Sequence, residues 1–259
     1  MLALRENGFD INDPDHIIVV LGDLLDRGPK SLECLQFVNN LPKSRKILIQ
    51  GNHEDLLQSI LRKKFLRMHD FTNGTVSSIF QIIGKKEGTI SYDEAISLMI
   101  NNQDWKTYYE SCINYWEDNN NIFVHGWIPC DYQEVYGEVY DPCYKENWRD
   151  GNWSDARWLN GMSCWDKGVR VPGKTIWCGH WHSSWGHCNL HNDGREFLSK
   201  IETYYIDPDT GKQMPYARHD PFIDEGIIAM DACTASSKIV NCRKIEVEDE
   251  NFKEATEAR

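Results

Sequence analysis

No apolar stretch of this sequence is long enough to cross a bilayer. The longest strongly apolar run, Ile17–Leu21, falls far short of the about 20 residues a spanning helix needs. An excess of positive charge is lacking too. Lys and Arg number 28 against 40 Asp and Glu, a net charge of −12, so neither extended nucleic acid nor an anionic membrane surface is an expected partner. A small phosphorylated ligand is not excluded. The first residues lack an apolar leader and carry Arg5 and Glu6 instead, and the nine cysteines are odd in number and without the spacing of a disulfide framework. The expectation is a cytoplasmic protein with reduced thiols. Internal repeats and low-complexity segments are absent apart from a polar tail after Glu248, and 41% hydrophobic with 26% charged residues excludes disorder for most of the chain. At 259 residues there is enough chain for a real core.

Ile17–Leu21 is β-branched and ends at Gly22, the pattern of a strand buried on both faces in an α/β layer structure. Residues 29–41 follow with Leu32, Leu35, Phe37 and Val38 on one helical stripe, and residues 46–50 give a second strand. Gly51-Asn-His-Glu54 interrupts, and helical periodicity resumes over 54–67. Two polar loops therefore leave the same end of neighbouring parallel strands. Asn73-Gly74 marks a turn, and Ser91 with Glu94 has capping-box spacing for a helix through Met99. Residues 122–124, 175–178, 226–230 and 238–247 read as further strands, the last two as a closing hairpin. Between Trp127 and Trp185 lie eight of the ten tryptophans, interleaved with Tyr132, Tyr136, Tyr140 and Tyr144. So many large rings with few aliphatics fit either core packing or a cap that stacks on a base or aromatic ring.

Gly22-Asp-Leu-Leu-Asp-Arg-Gly28, Gly51-Asn-His-Glu54, His125-Gly126 and Gly179-His-Trp-His182 each follow a predicted strand and each supply oxygen or imidazole donors. Borderline divalent metals take carboxylate, amide oxygen and imidazole together, and two ions about 3.5–4 Å apart need a carboxylate that bridges them. Asp23 is the candidate bridge. Gly22, Gly28 and Gly51 are expected to turn the backbone sharply off the strand ends. Cys178, His180, His182, His187, Cys188 and His191 offer a second possibility, a structural zinc site, although no Cys-x-x-Cys pair is present.

With these motifs the sequence resembles the calcineurin-like metallophosphoesterases over about residues 16–247, in particular the phosphoprotein-phosphatase branch, which includes dinucleoside-polyphosphate hydrolases. The resemblance implies a four-layer α/β/β/α sandwich. It implies a single domain over residues 1–247, with a helical insertion at about 69–118, an aromatic-rich cap at about 127–172 and a tail at 248–259. It implies two manganese, iron or zinc ions bridged by Asp23, with Asn52, His125 and His180 completing the second ion's shell and His182 a ligand of the first. His53 resembles the acid that protonates the leaving alkoxide, with Asp26 orienting it, and Arg27 resembles the phosphate clamp. Arg157, in Trp153-Ser-Asp-Ala-Arg157, matches a second phosphate-contacting arginine, the alternative being a surface salt bridge. Asp231 is expected to be supporting structure.

The chemistry is coherent. Metal binding lowers the pKa of water from 15.7 toward about 7, and an imidazole of pKa about 6.5 can protonate the departing oxygen. The implied activity is hydrolysis of a phosphomonoester, phosphoserine and phosphothreonine included, or of a nucleotide phosphoanhydride. The alternative is a pseudophosphatase that holds one metal and a phosphorylated partner.

The family's opening Asp-x-His motif has no counterpart here. A strand, crossover helix and strand take about 30 residues, more than precede Asp23, and residues 2–9 fit the tail of that crossover helix. The expectation is a chain lacking the first strand, with the second metal site better preserved than the first and activity impaired.

Overall fold

In the computed structural model, which describes residues 2–135, 137, 139–193, 204–206, 210–211, 213–215 and 217–247, the chain begins with a short helix, α1 (Leu2–Glu6). The fold is mixed α/β. Among the described residues it divides into two units, one built on Asp10–Trp116 and the other on Glu117–Glu246 with the residues through Phe9.

The first unit alternates strand and helix before becoming wholly helical. Its elements are β1 (Ile18–Val20), α2 (Ser31–Asn40), β2 (Lys46–Ile49), α3 (Asn52–Lys63), α4 (Met68–Thr72), α5 (Thr75–Ile82), α6 (Tyr92–Ile100), α7 (Gln103–Ser111) and β3 (Cys112–Ile113). The sheet runs β1–β2–β3 and is parallel throughout, with Ile18 opposite Lys46 and Leu48 opposite Cys112. Central β2 is apolar and buried at Ile47, Leu48 and Ile49. In β1 Ile18 is buried and Val19 and Val20 are half-buried, short of the expected burial on both faces; among the described residues β1 lies at the edge of its sheet, beside β2. The helices pack Leu35, Val38, Leu57, Ile79, Met99 and Trp105 into one core.

Helix boundaries follow local chemistry. α3 starts at Asn52, two residues ahead of the sequence expectation, and stops at Lys63 rather than 67 because Lys64 turns left-handed at φ 52°. α6 begins as the Ser91 spacing predicts, the Ser91 side chain accepting from the Glu94 N–H at 3.2 Å.

The division between the units falls inside β4 (Trp116–Glu117). The second unit continues with β5 (Asn121–Phe123), β6 (Asp131–Val135), β7 (Val139–Cys143), α8 (Trp153–Ala156), α9 (Gly161–Asp166), β8 (Thr175–Cys178), α10 (Ser183–Asn189), β9 (Tyr204–Ile206), β10 (Gln213–Pro215), β11 (Phe222–Asp224), β12 (Ile227–Ala229) and α11 (Thr234–Ser237). Its main sheet runs β11–β12–β8–β5–β4, with β5, β8 and β12 mutually parallel and β11 antiparallel to β12. Two hairpins, β6 with β7 and β9 with β10, lie outside that sheet.

The closing hairpin differs from expectation. Residues 238–247 form no strand, and β12 pairs instead with β11 just upstream, through a turn at Glu225-Gly226 where Gly226 has φ +80°. Ile239 and Val240 stay exposed, so the apolar residues of that segment have no buried face to set a register. The tryptophans divide as well. Trp127, Trp148, Trp153, Trp165 and Trp177 are buried in the unit's own core, which makes them packing and not cap, while Trp158 is exposed. Tyr136 and the tail at 248–259 lie outside the described residues.

Candidate functional site

In the first unit the two motif loops leave the C-terminal ends of parallel β1 and β2, the position where α/β sheets carry chemistry. Asp23 follows β1 in a left-handed conformation, φ 51°. Its carboxylate accepts the His53 N–H at 3.0 Å, so the start of α3 faces a negative charge. Gly51 must be glycine for space, since a Cβ there would sit 2.2 Å from Asp23 Oδ1 and 2.5 Å from Asp23 N. Its backbone is extended, and of the three glycines expected to turn the chain Gly22 alone is left-handed, at φ +81°.

His53 is buried and held from both ring nitrogens. Nδ1 lies 2.6 Å from Asp26 Oδ2, and Arg27 Nη2 donates to Nε2 at 3.2 Å. Asp23 Oδ2 lies 3.9 Å from the same Nε2. Because a guanidinium only donates, this pattern places the neutral ring's proton on Nδ1, toward Asp26. Burial disfavours the charged ring, but the hydrogen bond donated to Asp26 and the charges of Asp23 and Asp26 outweigh it and raise the imidazole pKa above its ordinary value. An acid must carry a proton on Nε2 as well, and the raised proton affinity favours that doubly protonated form.

Glu54, the last residue of the Gly51-Asn-His-Glu54 motif, carries no expected role. Its buried carboxylate accepts from Asp23 N at 3.0 Å, Leu24 N at 3.2 Å, Gly51 N at 2.8 Å and the Tyr108 hydroxyl at 3.0 Å. It ties the β1 loop to the β2 loop. The signal was available, because a Glu three residues past the residue preceding a helix has capping-box spacing. Thr75, Ser78 and Tyr108 were missed altogether.

In the second unit His125 and His180 come off the ends of adjacent parallel β5 and β8, joined by Gly179 N donating to His125 O at 2.7 Å. Their rings lie 5.1 Å apart at 59°, and His180 is left-handed at φ 61°. His182 immediately precedes α10, with Nδ1 2.8 Å from Ser184 Oγ and its ring stacked on Trp181. Arg157 is buried at the end of α8, against the reading of a surface salt bridge, and Trp127 N donates to Ala156 O beside it at 3.1 Å. Asp231, expected to be supporting structure, accepts from Ser183 N through its backbone O and from Cys233 N through Oδ1, at 2.7 Å each. The zinc alternative is not realised among the described residues: no three of Cys178, His180, His182, His187, Cys188 and His191 form a ligand group, and His187 and His191 engage Asp220 O and Asp224 Oδ2 instead.

The family model of calcineurin-like phosphoesterases matches residues 2–192. The chain belongs to that family. Among curated relatives of this chain, a symmetrical bis(5'-nucleosyl)-tetraphosphatase of Vibrio vulnificus (strain CMCP6) is 43% identical over 60 residues, 23% of this chain and 21% of its own length. One from Pasteurella multocida (strain Pm70) is 44% identical over 54 residues, 20% and 19% of the two lengths. A third, from Buchnera aphidicola subsp. Baizongia pistaciae (strain Bp), is 36% identical over 81 residues, 27% and 28%. The chain thus spans less than a third of the length of these relatives. No solved structure matches it.

Proposed function

We propose that this chain is a metal-dependent hydrolase of phosphoric esters or anhydrides. The observation that carries the reading is the His53 cluster: a buried imidazole with raised proton affinity, fixed by Asp26 and flanked by Arg27 and Asp23. Donor chemistry supports the metal, since carboxylate, amide oxygen and imidazole are what manganese, iron and zinc accept together. Asp23, Asn52, His125 and His180 are the proposed ligands of one ion, with Asp23 and His182 contributing to a second. Such ions supply Lewis acidity at phosphoryl oxygens and a lowered pKa for the attacking water.

The protein's own groups do the rest. Arg27 leaves His53 to take a phosphoryl oxygen, where its charge and planar fork suit the growing negative charge. Arg157 is the proposed second phosphate contact. His53, protonated on both nitrogens, delivers the Nε2 proton to the departing oxygen, and Asp26 keeps the ring facing it.

A nucleotide anhydride is the preferred substrate class, with a phosphoprotein as the other candidate. The names of the relatives support the nucleotide, and so does Trp158. It is 49% exposed with its ring 5.9 Å from that of His180 in an edge-to-face arrangement, a position in which its exposed surface can stack on a base. A cytoplasmic location fits such a substrate and nine cysteines outside any disulfide.

Asp23→Asn is the decisive variant, tested on diadenosine tetraphosphate and an aryl phosphate with manganese present. Turnover of both should fall at least about 100-fold, on the scale of losing a ligand that orders the reacting groups. Phosphopeptide binding without turnover by the wild-type chain would instead identify a pseudophosphatase.

A further inference from the structure

One helix of the first unit grips the loop that carries the chemistry. α5 is apolar on the side of Val76, Ile79 and Phe80, yet the stripe formed by Gly74, Thr75, Ser78 and Gln81 is polar or bare. Thr75 and Ser78 are fully buried, so this stripe does not face water. It faces residues 26–31. The Thr75 hydroxyl donates to Asp26 Oδ2 at 2.5 Å and the Ser78 hydroxyl to Asp26 Oδ1 at 2.8 Å. Asp26 N returns a hydrogen bond to Ser78 Oγ at 3.0 Å, and the Ser31 hydroxyl adds another at 3.2 Å. Gln81 closes the loop from both ends, accepting from Ser31 N at 2.8 Å and donating to Gly28 O at 3.0 Å. At the head of the helix, Gly74 sits so close to Arg27 that a Cβ would lie 2.6 Å from its N.

Both carboxylate oxygens of Asp26 are therefore occupied, Oδ2 by His53 and Thr75 and Oδ1 by Ser78. A carboxylate held at one oxygen can rotate about its Cβ–Cγ bond, whereas one held at both cannot do so without breaking a buried charge-assisted hydrogen bond. Asp26 and Arg27 are also left-handed, at φ 71° and 58°, conformations that persist only where the surroundings impose them.

We propose that Thr75 and Ser78 are positioning residues for proton delivery: by locking both oxygens of Asp26 they fix the rotation of the His53 ring, so that Nε2 points at the departing oxygen. The inference rests on the phosphoesterase reading above. It also gives the helical segment after α3 a task, because the buttress of the acid comes from there and not from the motifs that carry the acid.

The test pairs Thr75→Val with Ser78→Ala in the manganese-loaded protein and compares p-nitrophenyl phosphate, whose leaving group needs no proton, with an alkyl phosphate, whose leaving group does. The double variant should lose about 10–100-fold in kcat on the alkyl ester, the range for removing partners that orient a functional side chain, and little on the nitrophenyl ester. KM should stay unchanged, and Thr75→Ser with Ser78 intact should restore the alkyl activity. In proton NMR the Nδ1–H resonance of His53 should be sharp in the wild type and broadened in the double variant. Equal losses on the two esters, or none on either, would overturn this inference alone. A wild-type chain inert toward both esters and toward diadenosine tetraphosphate would overturn it together with the reading beneath it.

Discussion

Among the described residues, eight that are not glycine hold a positive φ, and Asp23, Asp26, Arg27 and His180 are four of them. Each such conformation costs of order 1–3 kcal/mol and survives only where its neighbours over-determine it. For Asp23 the neighbour is Glu54, whose buried carboxylate takes the Asp23 and Leu24 N–H groups and the Tyr108 hydroxyl. Tyr108→Phe removes one donor to a buried charge, and about 1–2 kcal/mol of stability should go with it at pH 8. The phenol pKa is raised well above its ordinary value, by burial first and then by the charge of Glu54. The folded chain thus keeps a proton that the unfolded chain releases, so this stabilisation is complete below about pH 10 and declines as pH rises beyond it. Urea midpoints of wild type and Tyr108→Phe should accordingly converge between pH 8 and pH 11, and a gap that stays constant would exclude the phenol. Trp158 carries a different expectation. Trp158→Ala should lower kcat/KM for diadenosine tetraphosphate by about 5–100-fold, the worth of one stacked base, and leave inorganic tripolyphosphate nearly unaffected; parallel losses would remove the stacking role.

Elements here begin and end where a specific residue makes them. α3 starts at Asn52 because Glu54 reaches back to Gly51 N, and periodicity alone, which sees only apolar spacing, placed the start two residues late. It ends where Lys64 adopts φ 52° and its N–H returns to Ile60 O at 2.7 Å. A lysine bears a Cβ penalty there that glycine does not. Lys64→Gly should therefore raise stability, by of order 1 kcal/mol less the added freedom of glycine in the unfolded chain, read as a higher urea midpoint; a lower one would show that the penalty is already relieved. The strand readings split on the same logic. Residues 175–178 were legible because a continuous apolar run suits a strand with parallel neighbours on both sides, as β8 has in β5 and β12. Residues 238–247 were misread because alternation signals a strand only where one face is covered, and coverage is a property of neighbours.

At the scale of the whole chain, the net charge of −12 argues against polyanionic partners. If divalent ions bind the proposed ligands and not the unfolded chain, a free concentration 100 times the dissociation constant should add about 2.7 kcal/mol, several degrees of melting temperature for a chain of this size. Manganese added after chelation should raise the melting temperature of the wild type and leave Asp23→Asn unmoved; an equal rise in both would place the ion elsewhere. The family was readable from the sequence alone, because Asp23, Asn52, His53, His125 and His180 follow strands in short motifs whose residue types suit what metals and phosphates accept. Local order along the chain suffices for that. The tertiary structure decided what supports them: that Thr75 and Ser78 hold Asp26, that Tyr108 and Glu54 hold the Asp23 loop, and that five tryptophans are core while Trp158 is not. A hydroxyl or an indole carries the same letter whether buried or exposed, and its partner lies tens of residues away, so only packing determines what it does.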